Sequence, residues 1–283
     1  MLLPVSHFLH KFDVLTPRFR RPRYRERLAF RRIFTYNVMC TLTTQFLTSF
    51  TAGIFNVIFY SYLSSNVWDP QGMIKTLKSP LRFSGGIGLS PTEVGLVMAL
   101  LGGVGIAMQI LFYPSVNDRF GTIRAWRVFL YCFPVALAIC PFLSLVPSTT
   151  PPPSGKKGVK IWLAIGFVTT LWTTGRTFVN PGSTILMNNC SPHPSVLGTI
   201  HGIGQSANSA AKTIGPTLGG WLYGLGLSHG MVGLAFWVLA FMSVCTITAS
   251  NWVREGDGHE IRLEGDDEAE AEAEAENRAL GLR

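Results

Sequence analysis

The sequence predicts an all-α membrane fold of six transmembrane helices, and three observations carry that prediction. First, charge is confined. Between Arg32 and Arg254 there are only three acids, Asp69, Glu93 and Asp118, against eleven Lys or Arg. Second, apolar residues make up 47% of the 283-residue chain and charged residues 14%. A soluble domain spreads its charges, whereas a polytopic membrane protein excludes them from its spans. Third, the stretch 197–226, LGTIHGIGQSANSAAKTIGPTLGGWLYGLG, is long enough to cross a bilayer and mixes glycines at helical spacing with one Pro and one Lys. A soluble helix rejects that mixture, because each interior Gly costs about 1 kcal/mol and Pro about 3. In a membrane bundle, small residues let backbones approach and neighbours re-satisfy what Pro releases.

Several function classes drop out. The net charge of +8 is no nucleic-acid signal, because nine basic residues fall in the first 32 and no nucleic-acid module follows them. The five cysteines, Cys40, Cys132, Cys140, Cys190 and Cys245, are scattered without a CxxC and read as small apolar side chains. His193 and His201, on a turn and a helix start, do not read as a metal pair. No nucleophile, base and orienter form a set, so no catalytic residue, cofactor or metal centre is expected.

Along the chain, residues 1–32 are a basic, Pro-interrupted segment, expected on the cytoplasmic side of the first span. Span 33–63 carries Asn37, Thr41, Gln45 and Asn56. Thr41 and Gln45 lie one turn apart, so one face of this span looks into the bundle. The loop 64–91 ends in Ser90, Pro91 and Glu93, which read as a capping box with Pro at the first helical position. Span 92–116 repeats Gly95, Ala99, Gly103 and Ala107 every four residues, an expected close-packing face. Its Gly102, Gly103, Gly105 cluster follows no strand and is not read as a nucleotide loop.

A short hydrophilic turn, PSVNDRFGTIR, leads to span 126–146, where Pro134 and Pro141 are kink sites. A Pro-rich loop, 147–159, precedes span 161–187, which contains Arg176. Pro192 and Pro194 then separate it from the fifth span, 197–226, in which Gly198 and Gly202, Gly215 and Gly219, and Gly220 and Gly224 stand four apart. The sixth span is 231–252. Residues 254–283 are acidic and poor in apolar side chains, which predicts a disordered tail. Six crossings put both termini on one side. Thirteen basic residues on that side against six on the other make it the cytoplasm, of either a plasma or a vacuolar membrane.

Arg176 and Lys212 stand near mid-span with no acid in any span to neutralise them. Their charge must meet water, a substrate anion, helix carbonyls or an acid from elsewhere. Gln205, Asn208 and Lys212 are three and four apart and share a face. With Gln45, Gln109 and Asn180 they are candidate cavity groups, and interhelical hydrogen bonding is the alternative.

Two stretches resemble a known family. PSVNDRFGTIR resembles the signature loop of the major facilitator superfamily, Gly-x-x-x-Asp-Arg/Lys-x-Gly-x-Arg/Lys-Arg/Lys, matched at Asp118, Arg119, Gly121 and Arg124. Pro114 stands where Gly is expected and Ile123 replaces a basic residue. KTIGPTLGG resembles the Gly-Pro-x-x-Gly-Gly element of the fifth helix of a half, matched at Gly215, Pro216, Gly219 and Gly220. With the lead-in Leu15-Thr16-Pro17-Arg18, residues 15–253 resemble the carboxy-terminal six-helix half of a twelve-helix transporter of the fungal drug-antiporter-like branch.

The resemblance implies transport of a small solute by alternating access. It also implies a gating latch at Asp118, with the carboxylate near a helix amino terminus and bonded to Arg119 or Arg124. Arg176 resembles the Arg of the fourth-helix motif of drug antiporters, with Asn180 where a glycine is expected. Such transporters hold solute between two halves. The implied partners are therefore the bilayer, the solute, and a missing amino-terminal half or a second half-unit. The alternative is a non-transporting membrane scaffold or regulatory half-unit that pairs with another protein.

Overall fold

The structure, a computed structural model, describes residues 24, 26, 28–67, 83, 85–151 and 154–280. Most of the basic amino-terminal segment, the lead-in at 15–18 and the loop charges Asp69, Lys75, Lys78 and Arg82 lie outside the described residues. Among the described residues the regular structure is entirely helical. The helices are α1 (Tyr36–Ser64), α2 (Pro91–Leu111), α3 (Tyr113–Phe120), α4 (Thr122–Leu130), α5 (Cys132–Ile139), α6 (Val159–Asn189), α7 (Leu197–Ser228), α8 (Leu234–Ser250) and α9 (Asp266–Ala279). Short 3-10 turns lie at Phe30–Ile33, Cys140–Leu145 and Pro194–Val196.

Three helical stretches are long and apolar enough to cross a membrane: Tyr36–Ser64, Pro91–Leu111 and Thr122–Leu145. Leu234–Ser250 is apolar but shorter. Helices α6 and α7 have the length, at 31 and 32 residues, but their Thr, Asn, Gly and cationic residues keep them out of that apolar class. Helices thus occupy all six expected stretches, and composition marks three of them as clear spans.

Local chemistry sets the breaks. The Ser90 N–H donates to Glu93 Oε2 at 2.8 Å and the Glu93 N–H to Ser90 Oγ at 3.4 Å, so the expected capping box starts α2. A Pro has no N–H for the carbonyl four residues back and crowds it. Pro114 accordingly ends α2 at Leu111, and Pro134 interrupts the third stretch at Tyr131, whose N–H turns to Val128 O at 3.2 Å. After Pro141 the chain continues as the Cys140–Leu145 3-10 turn.

The core lies where α1 crosses α6 and α8. The Phe55 ring stacks on Trp172 at 3.8 Å, and Ile58, Phe59, Tyr62, Trp126, Leu137, Phe236 and Leu239 are buried around them. The most extensive helix pairing is α1 on α7. Gly215 and Gly219 make it possible: a Cβ on Gly219 would sit 2.5 Å from Ile54 Cγ2, and one on Gly215 3.3 Å from Ile54 Cγ1. Gly198, Gly202, Gly220 and Gly224 face open space instead. So do Gly95 and Gly103, and α2 buries only Val94 and Val97, so the expected close-packing face of the second span is not packed. The approach to α6 runs through Gly105, whose added Cβ would be 3.2 Å from Thr173 Cγ2; this face is rotated from the expected one.

The acidic tail also departs from expectation, since residues 266–279 are helical rather than without structure. Arg254 and Asn37 exchange two hydrogen bonds of 2.9 Å. The N–H groups of Gly258 and Ile261 donate to the Asn189 and Pro192 carbonyls at 3.0 and 2.8 Å. Once anchored, the segment has Asp266, Asp267 and Glu268 at the helix amino terminus, where the dipole favours acids, and Ala and Glu beyond, both good helix formers. Mean composition registers neither the anchors nor the order of residues.

Candidate functional site

The polar faces of α1, α6 and α7 meet at one cavity of about 260 Å³. Spacing builds each wall. Arg176, Asn180 and Thr184 recur every four residues on α6, and Gln205, Asn208 and Lys212 share a face of α7. Gln45, Ser49 and Asn56 come from α1. A groove of about 700 Å³ between α2 and α6 adjoins it and shares Asn56, Arg176, Asn180 and Thr184. Gln109 lines this second groove. All seven cavity candidates named from the sequence therefore fall on these two adjoining surfaces.

Packing fixes how the side chains are presented. A Cβ on Gly53 would lie 3.5 Å from the Lys212 Cα, so this glycine lets α1 lie against α7 just where Lys212 emerges. Ser49 Oγ donates to Asn208 Oδ1 at 2.9 Å, tying the two walls together. Gln45 Oε1 is buried without a protein partner. Arg176 and Lys212 are exposed to the cavity side and make no hydrogen bond or ion pair among the described residues. No Asp or Glu lines either cavity among the described residues. Pro181 and Pro216 stand inside α6 and α7, and each frees a carbonyl one turn earlier, on Thr177 and on Lys212 itself. The surface therefore offers two cations and several amide groups.

Ser49, Asn56, Thr184 and Pro181 were not among the site residues named from sequence. Serine and threonine give a weak signal in a span, because they can satisfy themselves on their own helix, as Thr184 Oγ1 does on Asn180 O at 3.2 Å. The Asn180-Pro181 pair inside a helical run was the usable signal.

The signature loop is arranged differently from the expectation. Asp118, Arg119 and Arg124 are exposed, and Asp118 makes no hydrogen bond or ion pair among the described residues. It sits in the last turn of α3 rather than at a helix amino terminus. Arg119 lies over the Phe120 ring at 5.8 Å. Gly121 has φ +76° and separates α3 from α4, which explains a glycine at that motif position. Arg127, three residues past the motif, makes the strong contacts, donating from Nε to Ser250 O at 3.2 Å and from Nη2 to Val253 O at 2.6 Å.

A family model described as Major Facilitator Superfamily matches residues 17–278 of this helical chain. The chain belongs to the major facilitator superfamily. The chain is 28% identical over 214 residues to the major facilitator superfamily multidrug transporter mfsB of Aspergillus fumigatus, covering 72% of this chain and 34% of that protein. It is 24% identical over 164 residues to the major facilitator-type transporter psiT2 of Psilocybe cyanescens, covering 56% and 31%. A probable peptide/nitrate transporter of Arabidopsis thaliana is 26% identical over 142 residues, covering 50% and 27%. The chain thus spans about a third of the length of these curated relatives. No solved structure gives a significant match.

Proposed function

We propose that this facilitator forms one six-helix wall of a solute pathway that works by alternating access, and that Arg176 and Lys212 meet an anionic or zwitterionic solute there. One observation carries the reading: two cations face a polar cavity whose described lining holds no carboxylate. A charge at membrane depth is costly unless something compensates it, and a solute carboxylate, sulfonate or phosphate would do so in transit. The amides of Gln45, Asn180, Gln205 and Asn208 would fix its orientation by hydrogen bonds. The name of the Aspergillus relative, multidrug transporter, is in keeping with small organic molecules as solutes.

An alternating-access path needs a facing wall. The open glycine faces of α2 and α7, with Leu96, Leu100, Ile106 and Ile110 exposed on α2, are where a second six-helix unit would pack. In this arrangement α6, α7 and α8 also cross the membrane and both termini face the cytoplasm. Asp118, Arg119, Gly121 and Arg124 would form a gating loop at that surface. The test is uptake into vesicles by protein expressed from the full locus, with a panel of anionic, zwitterionic and cationic organic solutes. Saturable uptake of anions or zwitterions that falls in Arg176→Ala and Lys212→Ala supports the reading. Uptake of cations alone, or wild-type rates in both variants, overturns it.

A further inference from the structure

Away from the cavity, the turn before α7 and the carboxy-terminal segment bring two histidines onto one aspartate. His193, 0% exposed, holds its Nε2 3.0 Å from Asp266 Oδ2. His259 Nε2 lies 3.3 Å from the same oxygen, and Asp266 is only 2% exposed. The three ligand atoms all lie within 4.8 Å of one another. A tetrahedral zinc ion with bonds of about 2.0–2.1 Å has ligand-to-ligand edges of about 3.3 Å. One of the three edges, at 3.3 Å, already has that length, and a second, at 3.0 Å, is close to it.

The outer contacts fit as well. His259 Nδ1 lies 3.0 Å from Glu270 Oε1, a carboxylate that can accept a hydrogen bond from Nδ1–H and so leave the Nε2 lone pair facing inward for a metal. A neutral His259 has only one N–H, yet the ring stands between two carboxylates. One of its two ring nitrogens therefore faces a carboxylate lone pair to lone pair unless the ring is charged or a cation lies between them. His193 Nδ1 lies 2.6 Å from Ser195 Oγ, which accepts the Nδ1 proton when Nε2 takes up a metal. Metal binding then exchanges the 3.1 Å contact of the Ser195 amide with Nδ1 for the metal bond. Asp266 Oδ2 is held by the Leu263 N–H at 2.6 Å. His259, 14% exposed, leaves access from solvent.

We infer that His193, His259 and Asp266 form a divalent transition-metal site of zinc type that fastens the carboxy-terminal segment to the turn between α6 and α7. Two imidazoles and a carboxylate suit zinc and its neighbours rather than calcium or magnesium, which take oxygen ligands. The ion would join parts of the chain 73 residues apart, judged from the His193–Asp266 pair.

The test uses the full chain purified in detergent, stripped with a chelator and titrated with zinc chloride, with bound metal counted by mass spectrometry. Cobalt chloride serves as an optical probe of tetrahedral coordination. The expected result is about one zinc per chain, with affinity reduced at least tenfold in His259→Gln and in Asp266→Asn. His201→Gln, on α7 outside the cluster, keeps full affinity. Zinc should also slow tryptic cleavage at Arg254 and Arg262 in the wild type but not in His259→Gln. His259 is part-exposed, so this variant tests the site without the folding risk of replacing buried His193. Failure of the wild type to hold zinc, or equal binding by His259→Gln and Asp266→Asn, overturns the inference and leaves a hydrogen-bonded His193–Asp266–His259 cluster.

Discussion

Two pairs of cations in this chain carry the same charge and are treated in opposite ways. Arg127 and Lys156 reach helix ends. Arg127 donates to Ser250 O and Val253 O at the end of α8. Lys156, 9% exposed, donates to Ser144 O and, at 2.7 Å, to Val146 O at the end of the Cys140–Leu145 turn. Helix ends leave carbonyls without intrahelical partners and carry partial negative charge, so a cation there is compensated by the fold itself. Arg176 and Lys212 stand in mid-helix, where the backbone is largely paired with itself. Among the described residues neither side chain has a hydrogen-bond or ion-pair partner, which leaves their compensation to a solute or to groups outside that set. Position along a helix, rather than burial alone, separates a structural cation from one available to a ligand.

The largest effect expected from this contrast is on transport. Each of Arg176→Ala and Lys212→Ala should cut saturable anion uptake by roughly 10- to 100-fold, the equivalent of losing one charge-assisted hydrogen bond of about 1.5–3 kcal/mol. Thermal unfolding should be nearly unchanged, because neither side chain has a hydrogen-bond or ion-pair partner among the described residues to lose. Arg127→Ala should do the reverse. It removes both hydrogen bonds and strips Val253 O of its Arg127 donor, while Ser250 O keeps the Val253 N–H at 3.2 Å, and should destabilise by about 1–3 kcal/mol, visible as a lower midpoint in detergent, with uptake per folded molecule close to wild type. A variant of Arg127 that folds normally yet does not transport would break the contrast.

A smaller effect separates two adjacent glycines of the Gly-Pro-x-x-Gly-Gly element. Gly219→Ala drives a methyl into the branched Ile54 side chain and should cost about 1–3 kcal/mol, and it should move Lys212 away from α1. Gly220→Ala meets nothing within 4 Å and should be neutral, or stabilising by up to about 1 kcal/mol. Thermal melts of the two variants side by side decide it. A destabilised Gly220→Ala in the assembled protein would place a further helix against that face.

These residues also mark how far the sequence could be read. The helical stretches were legible because apolar runs and prolines act locally: Ser90, Pro91 and Glu93 start α2, and Pro134 breaks the third stretch where its missing N–H requires. The shared face of Gln205, Asn208 and Lys212 was legible because helical spacing puts residues three and four apart on one face, whereas the approach of Arg176 from α6 is set by helix packing. Which glycine face is packed was not, since Gly95 and Gly105 differ by rotation about α2 and only the partner helix sets that angle. The tail helix was hidden for a similar reason. Its order rests on Asn37, Asn189, Pro192 and His193, which are remote in sequence. Arg127 was passed over because the carbonyls it binds, Ser250 at the end of α8 and Val253 just beyond it, are more than a hundred residues away.

The smallest expected change in stability concerns Asp118, the acidic counterpart of the unpaired cations. It lies in the last turn of α3, where the dipole disfavours an acid, and no Arg of the loop reaches it. Asp118→Asn should therefore stabilise this conformation slightly, by about 0.3–1 kcal/mol, and leave expression unchanged. A purely solvated turn would leave transport untouched as well. A gating carboxylate behaves differently: it is unpaired in one conformation because its partners lie in another, so its removal weakens only the second state. The expected outcome is a higher melting temperature together with slower uptake, measured on the same preparation. Unchanged uptake would return Asp118 to the solvated surface and leave Gly121 as the loop's one structural requirement.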